Sequence, residues 1–213
     1  MRQRHQNFSI PNRVFIPAYL FISLLLYSSC SNSSRPPADD IVAVPEKMDK
    51  RVAERIEEYL AEVVSGKAGA NDSTELKQPS LVQDVFKQRK FETLWSKEEQ
   101  WNKQGDDLFA FIESSRTYGL FPEDYHLKDI QSLRSTFIAD SLSKNGPRTN
   151  AALWTKGELM LTDAFVQIVN DIKLGRLMPD SILQRRESVI NIDLYLSKLN
   201  EFITGTSLTP SAV

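Results

Sequence analysis

Covalent chemistry in this 213-residue chain rests on few side chains, and the most capable type, cysteine, occurs once, at Cys30. A thiolate nucleophile needs a base in hydrogen-bond reach and donors for the developing oxyanion. The only histidines are His5 and His126, and neither lies in a pattern with Cys30 that supplies those parts. His126 follows a turn and reads as a surface or helix-start residue. Ser114-Ser115 lacks the glycine-flanked elbow that presents a nucleophilic serine, so both serines read as helix-packing residues. Glu123-Asp124 is a carboxylate pair, but adjacent acids in a turn ordinarily face water or cap the next helix. Asp163 lies beside the apolar residues Leu161, Ala164 and Phe165 and is expected to be half buried, where an acid must find a partner. Arg116 and Arg176 are the candidate partners. The cysteine and histidine count offers no metal-ligand spacing, and the glycines form no phosphate-cradling loop, so no metal and no cofactor is implied.

The surroundings of Cys30 point to a different use for it. Arg2, Arg4 and Arg13 precede an apolar run over residues 14–27, the charged and apolar regions of an export signal. Fourteen residues fall short of the roughly 20 that span a bilayer as a helix. Leu26-Tyr27-Ser28-Ser29-Cys30 looks like a lipobox, in which a protease cuts before a cysteine that is then diacylated. The expectation is a signal peptide over residues 1–29, a lipidated Cys30 with a Ser- and Pro-rich tether to residue 46, and a folded part over residues 47–213. Such a chain sits in the bacterial envelope, held to the periplasmic face of a membrane. With one cysteine there is no internal disulfide. The chain has 26 basic against 28 acidic residues, and the leader's charges are the three arginines, so the mature part is more acidic still. That balance excludes a nucleic-acid partner.

Helical periodicity dominates what must position these residues. Met48, Val52, Ile56, Leu60 and Val63 form one stripe that stops at Gly66. Ser80-Leu81-Val82-Gln83 fits a capping box opening a short helix with Val85 and Phe86 inward. Residues 89–95 alternate briefly, predicting an extended connection that lays Phe91 and Trp95 into the core. Leu108, Phe111, Ile112 and Ser115 share a face closed by Gly119. Ile130, Leu133, Phe137 and Leu142 predict another helix, ended by Asn145-Gly146-Pro147. The longest pattern covers residues 149–172 with Gly175 beyond it, and Gly157 marks a point where it can break. Ile192, Tyr195, Leu199 and Phe202 predict a last helix ending at Gly205. The fold class is mostly α, an irregular helical bundle with at most a minor strand.

Three ordered segments resemble the N-terminal scaffold region of large bacterial murein L,D-transpeptidases. Arg89, Phe91, Leu94 and Trp95 match its first element, and Gly119, Leu120, Pro122, Asp124 and Tyr125 its second. Glu158-Leu159-Met160-Leu161-Thr162-Asp163-Ala164-Phe165 with Gly175 and Arg176 matches its third. The resemblance implies a non-catalytic helical scaffold that packs against a separate, more C-terminal catalytic domain and helps position it. In that family the catalytic domain carries a His and a Ser/Thr-His-Gly-Cys motif, and its thiolate attacks tetrapeptide stems of peptidoglycan. No such motif follows Cys30 here, so this chain is expected not to be an enzyme. Thr209-Pro210-Ser211-Ala212-Val213 reads as a connection rather than a finish, which predicts a domain incomplete at its C-terminus. The implied partners are that catalytic domain, peptidoglycan through it, and a membrane through the lipid. The alternative is a stand-alone helical lipoprotein acting as a binding adaptor.

Overall fold

The structure is a computed structural model, and it describes residues 40–42, 44–66, 74–142, 150–175 and 191–205. The segment expected to be a signal peptide and Cys30 lie outside these residues, as do most of the expected tether, residues 145–147 and Arg176. Six α-helices, one small hairpin and three short 3-10 turns (Pro45–Lys47, Ser115–Tyr118 and Pro122–Tyr125) make up the regular structure of the described residues: α1 (Met48–Val64), α2 (Pro79–Gln88), β1 (Ser96–Lys97), β2 (Gln100–Trp101), α3 (Lys103–Ser114), α4 (Leu127–Ser141), α5 (Ala151–Leu174) and α6 (Ile192–Ile203). The mostly α class is therefore correct.

α5 is the axis. Its buried residues run from Ala151 to Val169 on nearly every side, the signature of a helix enclosed by others rather than laid on a surface. α1, α2, α3, α4 and α6 all pack against it. α1 does so through one narrow line, Met48, Val52, Ile56 and Leu60, spaced four apart so that the side chains stack along one face. Gly157 does not break α5. A Cβ there would stand 2.5 Å from the Trp101 ring, so the glycine lets the hairpin's tryptophan lie against the helix. Trp101 then joins Trp154 and Phe137, with Phe137 and Trp154 stacked at 4.1 Å between centroids.

Three local expectations need correction. The capping box does not form: α2 begins two residues early, with Gln78 at the N-cap and Pro79, whose fixed φ suits the first helical position, after it. Ser80 is already helical, and the Gln83 amide instead donates to the Leu60 carbonyl at 3.2 Å, tying α2 to the end of α1. Residues 89–95 are not extended. Lys90 and Phe91 adopt left-handed φ of 54° and 59°, and the Phe91 N–H reaches back to the Phe86 carbonyl at 2.8 Å, a helix-terminating turn. Finally, Leu142 is 79% exposed. It stands five residues past Phe137, about 140° around the helix from the stripe that Ile130, Leu133 and Phe137 define.

The small strand is a hairpin whose connecting residues, Glu98 and Glu99, both have positive φ, the twist that matches a two-residue connection. Residues 40–42 are docked as well. The Asp40 carbonyl accepts from the Ala151 N–H at 2.8 Å, and its carboxylate accepts from Arg51 at 2.7 Å and Arg55 at 3.1 Å. That joins the start of the described chain to α1 and to the first turn of α5.

Candidate functional site

The polar centre of the molecule is a pair of buried carboxylates five residues apart on α5. Five residues turn a helix by about 140°, so Glu158 and Asp163 leave the axis on different sides and reach different parts of the chain.

Glu158 holds the segment between α2 and the hairpin. Its Oε2 accepts from the Leu94 N–H at 2.8 Å, and its Oε1 from the N–H groups of Trp95 at 3.0 Å and Ser96 at 2.8 Å. The Ser96 hydroxyl donates to Oε1 as well, at 2.7 Å. Leu94 and Trp95 precede the hairpin and Ser96 is its first residue; their N–H groups need an acceptor, and buried backbone donors are nearly always satisfied. Glu158 is that acceptor. Burial drives its carboxyl up from an ordinary 4.5 to about 7, and the four donors oppose the rise. Trp95, locked by this grip, places its indole N–H on the Thr162 hydroxyl at 2.9 Å and packs against Phe165 and Phe202.

Asp163 does the same for the start of α2. Its carboxylate accepts from the Gln78 N–H at 2.8 Å and the Lys77 N–H at 3.1 Å. No side chain caps α2 locally, so an acid from another helix supplies the negative group that a helix N-terminus favours. His126 Nε2 completes the set at 2.7 Å from the same carboxylate, and Asp163 is fully buried while His126 is 10% exposed. Among the described residues the partners of Asp163 are therefore His126 and the backbone of Lys77 and Gln78, not the expected Arg116, and Arg176 lies outside these residues. Arg116 pairs instead with Glu123 on the exposed surface, because the turn ending at Gly119 keeps it there. His126 does begin a helix, in left-handed conformation at the entry to α4, and it is a part-buried partner of an acid rather than a free surface residue.

Around these clamps the motif residues fall into place. Leu94, Trp95, Leu120, Tyr125 and Phe165 are core residues. The Tyr125 hydroxyl donates to Asp171 near the end of α5 at 2.7 Å. Gly119 and Gly175 have φ of 75° and 79°, conformations that favour glycine. Pro122 opens the short 3-10 turn that holds Tyr125, and Asp124 faces Lys77, whose ammonium meets its carbonyl at 2.7 Å. Phe91 is half buried, and Arg89 links α2 to α6 through Asn200 at 3.3 Å.

As chemistry, the arrangement binds backbone. His126 and Asp163 have the outline of a base and its orienting acid, yet among the described residues no serine or threonine hydroxyl is hydrogen-bonded to that histidine. Ser114 donates to the Ala110 carbonyl, and the buried Ser115 hydroxyl has no hydrogen-bond partner. Among the described residues no group of three His, Cys, Asp or Glu is placed to hold a metal. No helix of the described residues is long and apolar enough to cross a membrane.

Sequence reasoning reaches Asp163 as a buried acid needing a partner and misses the role of Glu158. The signal was there. Glu158 precedes Thr162 by four and Phe165 by seven, which puts it on a buried face of the helix.

A family model described as a scaffold domain matches residues 80–207, from the first turn of α2 to just past α6. No curated protein and no solved structure matches the chain.

Proposed function

The chain belongs to the scaffold-domain family, and on that premise we propose that it is the non-catalytic scaffold of a peptidoglycan L,D-transpeptidase, anchored in the bacterial envelope through acylated Cys30. Its task is to present a rigid helical surface to a catalytic domain that carries the cysteine nucleophile and the histidine base. The observation that carries the reading is the central helix. Glu158 and Asp163 are both spent on holding remote backbone at residues 94–96 and 77–78, and the motif residues Trp95, Tyr125 and Phe165 converge on the same helix. Groups so committed fix geometry; they do not turn over substrate. The acidic balance and the export signal agree with an envelope protein that works beside the cell wall and away from nucleic acid.

The test is direct. The purified chain is incubated with tetrapeptide stems and an amine acceptor, and products are read by mass spectrometry. No crosslinked or trimmed stem is the expected result, together with measurable association when an L,D-transpeptidase catalytic domain is added. Stem turnover that disappears in His126→Ala would overturn the reading.

A further inference from the structure

Between α1 and α5, away from both clamps, lies a cleft of about 110 Å³. Its floor is apolar and closed, made by Ala152 and Leu159, both buried. One wall, from α1, presents Glu58 and Glu62; the other, from α5, presents Lys156. The Tyr59 hydroxyl is already committed to the Thr74 carbonyl at 2.5 Å, and Arg55 gives one terminal guanidinium nitrogen to Asp40 at 3.1 Å while its Nε has no hydrogen-bond partner.

What remains is an opposed pair of charges that do not meet. Lys156 and Glu62 line the same cleft, yet among the described residues neither side chain makes a hydrogen bond or an ion pair. A cation and an anion kept apart over an apolar floor are complementary to a small molecule carrying the inverse pair. The volume is well under the ~300 Å³ at which drug-sized sites begin, which limits the occupant to a few heavy atoms with a short apolar group.

We propose that this cleft binds a small α-amino acid as its zwitterion, the carboxylate on Lys156, the ammonium on Glu62, and a methyl-sized side chain over Ala152 and Leu159. One wall of the cleft, α1, lies outside the matched residues 80–207, and the other, α5, lies within them.

The experiment is an NMR titration of the protein with glycine, alanine, alanine amide and N-acetylalanine. Alanine is expected to give saturable shifts at the amides of Glu62, Thr155 and Lys156. Removing either ligand charge, as in the amide or the acetyl derivative, should weaken binding at least about tenfold, the worth of one such interaction. Lys156→Met and Glu62→Gln should each do the same. Exchanging the charges, Glu62→Lys with Lys156→Glu, should restore binding with the ligand reversed, which separates ligand pairing from damage to the fold. The proposal fails if alanine gives no saturable shifts at these amides. It fails equally if the capped ligands bind as well as alanine, or if the exchanged pair binds no better than the single variants.

Discussion

Replacing Glu158 tests the interior of this fold most sharply, because two substitutions make different demands on the same three backbone donors. In Glu158→Ala the N–H groups of Leu94, Trp95 and Ser96 lose their acceptor in a site that is otherwise closed. Each unsatisfied buried donor costs about 1–3 kcal/mol. Water entering the space left by the side chain recovers part of that, so a loss of about 3–5 kcal/mol is expected, a large share of the 5–15 typical of a domain. Glu158→Gln keeps the volume and removes the titration. In the native protein the Glu158 carboxyl sits near 7, above the 4.5 of the unfolded chain. Between those values the folded state holds more of the proton than the unfolded state does. Stability contributed by this group is therefore full below about 4.5, falls as pH rises, and levels above about 7. The difference corresponds to about 3 kcal/mol. Ser96 makes both states tenable, since its hydroxyl donates to the carboxylate and can turn to accept from the acid. Urea denaturation followed by tryptophan fluorescence, at intervals from pH 4.5 to 8, reads the stability difference between wild type and Glu158→Gln. That difference should shrink by about 3 kcal/mol across the interval as the wild type loses its advantage. A difference that stays constant with pH would refute the reasoning, as would Glu158→Ala within 1 kcal/mol of wild type.

Other perturbations have equally defined outcomes. Asp163→Ala strips the acceptor from Lys77, Gln78 and His126 and should cost about 3 kcal/mol by the same accounting, seen as a lowered urea midpoint; Asp163→Asn, which keeps one carbonyl oxygen, should lose less. Gly157→Ala forces a methyl to 2.5 Å from the Trp101 ring, an overpacking cost of about 1–3 kcal/mol despite alanine's better helix propensity, measured as a fall in Tm. Asp40→Ala frees Arg51 and Arg55 at a half-exposed site, so the loss should be about 1 kcal/mol, with faster amide exchange at Ala151. Cys30→Ala should abolish incorporation of labelled fatty acid and release the chain from membranes.

Periodicity was enough to place the helices, because each one buries a stripe whose spacing is written locally: α1, the Gly119 turn and α6 needed nothing beyond their own residues. Failures came where a distant group decided a local matter. Ser80 and Gln83 spell a cap, yet α2 starts at Pro79 and takes its negative group from Asp163, more than eighty positions away. Residues 89–95 alternate like a strand, yet turn, because the N–H groups of Leu94 and Trp95 are satisfied by an acid on another helix. Gly157 looked like a weakness in a helix and is a seat for Trp101. The centre was half legible for the same reason. A buried acid announces that it needs a partner, but which backbone it will hold depends on the packing of helices remote in sequence.

Whether the carboxylates of α5 hold the remote segments of this scaffold is read most directly by native-state amide hydrogen exchange at Lys77, Gln78, Leu94, Trp95 and Ser96. None of these N–H groups is bonded within a helix or sheet. Exchange only through global unfolding, with Leu94, Trp95 and Ser96 losing protection selectively in Glu158→Gln and Lys77 and Gln78 in Asp163→Asn, is the predicted result. Rapid exchange of these amides in the wild type, at rates typical of exposed loops, would contradict it.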